Sequence, residues 1–259
     1  RYVETLNDAR TPLEAFFRIL LRLLRPPEAL LGPVTTLIND ARRVLLYLGA
    51  GAIDAAVDVA EFARATDAAI VTTTSARGTV SEDDPRVVIR DPGMQDTATL
   101  NALIDRADLV VAIGVKFSHN GAAGFNLRLP QSKLVTINAA VPSRNYPACR
   151  HITGDAGRIV RALLDRLRPR PSGSSGWNAD ELASWRGSAL AFERAARVEP
   201  HVEGTSMPVS AVITDLRVAL PDEAVLVTDS GLHQMSVRRY FTVRSPRGLI
   251  VPTNFQSMG

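Results

Sequence analysis

Cysteine is almost absent: Cys149 is the single one in 259 residues, so no internal disulfide can form and no thiolate metal cluster can assemble. Such usage fits a reducing compartment, and a cytoplasmic location is the expectation. Histidine is nearly as scarce. His119, His151, His201 and His233 stand far apart, without the spacing of a zinc site, so no metal ligand set is assigned within the chain. Aromatic residues make up only 5%, and lysine occurs only at Lys116 and Lys133. Positive charge therefore comes from scattered arginines, with a net charge of +3 and a sequence pI of about 9.4. Nucleic-acid binding would want those cations clustered on one face, and no basic stripe is present. No apolar run approaches the roughly 18 residues of a membrane-spanning helix. No secretory signal leads the sequence, which starts without Met, and "RYVETLNDARTP" reads as the middle of a longer chain.

What is present is an α/β pattern. Hydrophobic residues reach 46%, enough to bury at least one sizeable core. Residues 11–25, "TPLEAFFRILLRLLR", have apolar residues at helical spacing behind a Thr11 cap and Pro12. After a proline break, a second helical pattern leads into "VLLYLGAGA". The short β-branched runs at 44–49, 69–74, 109–115 and 133–139 do not alternate with polar residues, as suits strands covered on both faces. Helical stretches at 53–66, 96–107 and 155–168 are interleaved with them. This order predicts a doubly wound parallel sheet, α/β in class. The Pro-, Gly- and Ser-rich "RPRPSGSSGWN" marks a linker. Beyond it, helices near 179–196 and 207–220, the strand "VLVTD", a helix from about His233 and the strand "GLIVPT" form an incomplete second α/β unit.

Besides the turn that ends this pattern, three places hold residues suited to a ligand. Gly49 and Gly51 follow the first strand, but Asp54 stands where a third glycine of a dinucleotide fingerprint would fall, so a tight turn and an anion contact remain equal readings. Gly93 and Met94 lie in a loop that opens a helix, with Asp96 or Thr97 as its cap. Lys116 follows the third strand, with Ser118, His119 and Asn120, at the carboxyl end of the sheet where nucleotides bind in open α/β folds. The turn near His233 combines more requirements. "VLVTDSGLHQM" runs a strand into Asp229, Ser230 and Gly231, and a helix then begins with Leu232, His233 and Gln234. Free amides, a flexible glycine and the positive end of a helix make an anion nest.

These last residues, with "RGLIVPTNFQSMG" after them, resemble the opening of the diphosphate-binding domain of thiamine diphosphate enzymes of the acetohydroxyacid (acetolactate) synthase and 2-oxo-acid decarboxylase group. "DPGMQDTATLNALIDRADLVVAIGVKF", "INAAVPSRNYP" and "ITGDA" resemble the central domain of the same group. The resemblance implies a division into the tail of a pyrimidine-binding domain (1–28), a central nucleotide-binding-like domain (29–170), a linker (171–188) and the first part of a thiamine diphosphate-binding domain (189–259). It implies that Gly231, Leu232, His233 and Gln234 hold the cofactor diphosphate. Gln256 and Met258 fall on family positions that hold the aminopyrimidine, with Gln256 standing where the family has glycine.

Implied activity is decarboxylation of a 2-oxo acid and transfer or release of the resulting carbanion unit, in a homodimer or homotetramer. Mg2+ ligands and the activating glutamate are expected outside this stretch, so the chain by itself is expected to be catalytically inactive. A second reading is a noncatalytic nucleotide-binding or regulatory protein built on the central domain, using Gly49, Gly51, Gly93, Met94 and Lys116. FAD is expected to be held poorly or not at all: the flavin contacts of the resembled synthases include an arginine, whereas here Phe117-Ser118-His119-Asn120 occupies that place.

Overall fold

A computed structural model describes residues 26–140, 143–170, 176–195 and 208–252. The helix expected over 11–25, and Gln256 and Met258, lie outside the described residues. Helix α1, Glu28–Asp40, delivers the chain to β1, Val44–Leu48. A 3-10 turn at Ala50–Ala55 and helix α2, Ala56–Thr66, cross over to β2, Ala69–Thr72. Then come β3, Val87–Arg90, helix α3, Thr97–Arg106, and β4, Leu109–Ile113. β5, Leu134–Asn138, β6, Arg150–Thr153, and helix α4, Ala156–Leu164, complete the sheet unit.

All six strands are parallel, in the order β3-β2-β1-β4-β5-β6. This is the doubly wound arrangement expected. Every β1 residue is buried, and successive side chains feed opposite layers. Val44, Leu46 and Leu48 pack with Leu31 and Ile38 of α1, Val59 and Phe62 of α2, and Ile159 and Leu163 of α4. Leu45 and Tyr47 pack with Leu100, Leu103 and Ile104 of α3. Each such fully buried side chain contributes about 1.5–3 kcal/mol relative to exposure. Of the two cap candidates Asp96 and Thr97, the structure uses Asp96, which accepts from the amides of Ala98 and Thr99; Asp155 caps α4 by accepting from that of Arg158.

β3 and β6 were not evident in the sequence. Each has four residues at a sheet edge; β3 has only three apolar residues in a row before Arg90, and β6 exposes Arg150 and Thr153. The expected linker (171–188) differs more. From 176 onward it belongs to the second core layer: Trp177, Leu182 and Ala189 are buried in it, Trp177 Nε1 donates to the Val44 carbonyl at 2.9 Å, and the Arg43 guanidinium lies 5.3 Å from the Trp177 ring centre. Helix α5, Ala179–Ala195, therefore lies along the sheet. Glycine and serine suggested a spacer, but one tryptophan with a buried donor to satisfy anchors the segment.

The second unit consists of helix α6, Val209–Ala219, β7, Leu226–Val227, helix α7, Leu232–Tyr240, and β8, Leu249–Ile250. β7 and β8 pair in parallel. Ile213, Val237, Phe241, Val243 and Leu249 form its small core. Val212, Val218, Val225, Val227 and Ile250 remain exposed.

Candidate functional site

In the strand order, the sheet reverses direction between β1 and β4, and a crevice opens at such a switch point outside the carboxyl ends of the strands. A cavity of about 1150 Å³ lies there. Gly51, Lys116, Thr136, Asn138, His151 and Arg158 are among its walls. His151 is held between two hydroxyls, Thr136 Oγ1 at 2.7 Å and Thr153 Oγ1 at 3.0 Å. Burial pulls its pKa below the usual histidine value.

The two glycines after β1 have a specific task. A Cβ on Gly49 would lie 2.2 Å from the Gly114 carbonyl oxygen, and one on Gly51 would lie 2.8 Å from Gly114 Cα. The Gly51 amide donates to the Gly114 carbonyl at 3.2 Å. The glycines thus let the loops after β1 and β4 interlock. Of the residues singled out, the structure brings Gly51 and Lys116 to the cavity. Gly49 is buried behind it. Gly93 and Met94 sit apart, in a 3-10 turn after β3 where Gly93 packs on Asn120.

Gly231, Leu232, His233 and Gln234 come together at the start of α7. Gly231 is its N-terminal flanking residue, with φ +141, and no side chain caps the helix. A Cβ at Gly231 would meet the His233 ring at 2.9 Å, so glycine is required for the ring to fold back over the turn. Gly231, Leu232 and His233 are exposed, while Gln234 is buried. Its Nε2 and the buried Oγ1 of Thr228 have no hydrogen-bond partner among the described residues. A buried orphan donor costs about 1–3 kcal/mol, which marks this turn as one that lacks a polar partner. No three His, Cys, Asp or Glu side chains converge to hold a metal among the described residues. No described helix is long and apolar enough to cross a membrane.

The far end of α7 is embedded in charge. Arg77 Nε and Nη2 bind both oxygens of Glu82 at 2.5 and 2.9 Å. Arg90 joins Glu82 at 2.9 Å and Glu193 at 3.0 Å. Gln95 Nε2 also donates to Glu193, at 2.5 Å. Arg238, on α7 itself, binds Asp91 through Nε at 2.6 Å and Nη2 at 2.8 Å. Burial would raise the Glu82 carboxyl, but Arg77 and Arg90 outweigh it and hold its pKa at about 2. For Glu193, burial wins over Arg90 and its pKa is raised. No sequence signal announced this cluster, because its members are scattered from 77 to 238.

Residues 31–163 match the family model "Thiamine pyrophosphate enzyme, central domain". Over 241 residues the chain is 27% identical to a probable acetolactate synthase 2, chloroplastic, of Oryza sativa subsp. japonica, covering 92% of this chain and 36% of that protein. Over 239 residues it is 28% identical to an acetolactate synthase of Mycobacterium bovis, covering 91% and 38%. The chain thus spans little more than a third of the length of these curated relatives. A solved structure described as a candidate thiamin diphosphate-dependent enzyme from Mycobacterium smegmatis superposes with a TM-score of 0.62 at 20% identity, over 88% of this chain and 42% of that one. That likeness concerns the fold.

Proposed function

Because the chain belongs to the thiamine pyrophosphate enzymes through their central domain, we propose that it forms part of an acetolactate-synthase-like enzyme that decarboxylates a 2-oxo acid and transfers or releases the remaining unit. The observation that carries this reading is the turn at the start of α7. It has a helix N-terminus without a side-chain cap, a glycine whose φ of +141 is a conformation that side-chain-bearing residues rarely adopt, and a buried Gln234 side-chain Nε2 without a partner among the described residues. These features fit the diphosphate of thiamine diphosphate. The first amides of α7 donate to phosphate oxygens, the positive end of the helix favours their charge, and His233 and Gln234 add side-chain donors. When bound, the cofactor supplies the carbon nucleophile and the electron sink for decarboxylation. This chain's part is to hold its anionic end. Mg2+ would accompany the diphosphate, with its protein ligands drawn from outside the described residues. The exposed Val212, Val218, Val225, Val227 and Ile250 support an oligomer, dimer or tetramer, in which more protein covers the second unit.

His233→Ala in the intact protein is expected to weaken thiamine diphosphate binding by about ten- to a hundredfold, the worth of one polar or charge-assisted hydrogen bond to phosphate, while the fold persists. Titration calorimetry with Mg2+ present checks this; unchanged affinity would reduce His233 to a helix-start residue.

We also propose that the central domain holds FAD poorly or not at all. Where the resembled synthases have an arginine among their flavin contacts, Phe117-Ser118-His119-Asn120 offers no fixed cation. The purified protein is expected to be colourless. One flavin released per chain on denaturation would overturn this.

A further inference from the structure

The helix at the proposed diphosphate site is secured from its other end. Its N-terminus has no side-chain cap, and Leu232 there is 55% exposed. At its C-terminus the last carbonyls, which an α-helix cannot satisfy internally, are taken by two guanidinium groups of the sheet unit, Arg77 fully buried and Arg90 partly so. Arg77 Nη1 donates to the Arg238 carbonyl at 2.8 Å, and Nη2 to that of Phe241 at 2.6 Å. Arg90 Nη2 donates to the Arg239 carbonyl at 2.6 Å. A third arm runs the opposite way, from Arg238 of α7 to Asp91, which also accepts from the Thr74 hydroxyl at 2.6 Å.

We propose that Arg77 and Arg90 are positioning residues for the cofactor diphosphate, acting through the axis of α7; the proposal rests on the reading of the Gly231–Gln234 turn given above. Three arms from separate points of the central domain fix both the tilt and the rotation of a nine-residue helix. Such a helix is about 13 Å long, so a tilt of roughly 10° about its anchored end carries its first amides through roughly 2 Å. A displacement of that size is enough to lose a positioned contact. Stability alone does not account for the arrangement, because apolar residues of similar volume generally stabilise a buried site as well as an ion cluster does. What ions add here is direction, since Arg77 and Arg90 each reach named main-chain carbonyls of α7 and Arg238 reaches the Asp91 carboxylate.

The double variant Arg90→Met/Glu193→Gln, made in the intact protein, removes a cation together with its anion and leaves neither charge orphaned. Arg90→Lys retains one donor for the Arg239 carbonyl. Affinity for Mg2+–thiamine diphosphate is read by calorimetry, turnover of a 2-oxo acid at saturating cofactor by rate, and amide exchange over 232–240 by mass spectrometry. In the double variant we expect affinity about tenfold or more weaker, turnover at saturating cofactor retained, faster exchange in α7 and unchanged protection of β1 and β4. Arg90→Lys should fall between it and the parent. If His233→Ala weakens binding and the double variant does not, positioning is overturned and the diphosphate site stands. If neither weakens it, the site itself is wrong and the proposal falls with it. If the double variant loses protection throughout 208–252, Arg90→Lys decides: weaker binding with the fold retained supports positioning, and unchanged binding overturns it.

Discussion

Glu82→Ala is expected to lower the stability of the protein by about 3–5 kcal/mol, the cost of leaving buried cations without their partner. Its carboxylate is 2% exposed and is shared between Arg77, itself fully buried, and Arg90. It also accepts the Val243 amide at 2.8 Å. Truncation leaves that amide unpaired and the buried Arg77 cation without its carboxylate, while Arg90 keeps only Glu193. The pH dependence has a definite sign. The Glu82 pKa falls from 4.5 to about 2 on folding, because Arg77 and Arg90 overcome the effect of burial. A depressed carboxyl contributes stability that is complete above its unfolded value and is lost as the pH falls through 4.5 toward 2. The shift corresponds to roughly 3 kcal/mol at neutral pH, consistent with the mutational figure. Glu193 acts in reverse: its raised pKa contributes stability at low pH that is lost as the pH rises. Urea unfolding of parent and variant at pH 7 and pH 3 should therefore show a wide gap that narrows in acid. An equal gap at both pH values would mean that the charge on Glu82 is not the source of its contribution.

The contrast between β1 and this cluster shows what sequence can and cannot reveal. Five consecutive buried residues at 44–48 declare a two-sided strand, because a parallel strand in the middle of a sheet needs apolar side chains on both faces. At the sheet edges the signature weakens: β3 keeps only Val87, Val88 and Ile89, and β6 a single buried Ile152. The start of α3 was legible through Asp96, since a cap is a local contact within three residues. The turn at Gly231 was legible for the same reason: strand end, glycine and helix start are contiguous. Arg77, Glu82, Arg90, Glu193 and Arg238 were not, because each reads as a solvated charge until the fold brings distant segments together. Trp177 misled differently. Its neighbours Gly176 and Ser175 set the composition of the window, while the side chain that decides the packing is a single residue.

Gly114→Val is the second substitution with a large expected effect, and it tests what the glycines after β1 are for. Gly114 has φ +64, a conformation that costs a side-chain-bearing residue about 1–3 kcal/mol. A Cβ there would also lie 2.4 Å from Gly51 Cα and 2.6 Å from the Ala52 nitrogen. These are main-chain atoms that cannot rotate away, so overpacking adds about 1–3 kcal/mol more. A loss of about 3 kcal/mol should lower the melting temperature by roughly 6–12 °C for a domain of this size. Gly49→Ala should behave alike, because its Cβ would fall 2.2 Å from the Gly114 carbonyl oxygen. Both losses are expected with no ligand present, since they come from the interlock of the β1 and β4 loops. A phosphate cradle predicts the opposite pattern: melting of the ligand-free protein nearly unchanged, and loss appearing only as weaker binding in the switch-point cavity. Thermal unfolding of the two variants without added ligand distinguishes these outcomes. A drop seen there assigns Gly49 and Gly114 to packing and leaves Lys116, Arg158 and the His151 wall as the groups able to meet whatever enters the cavity.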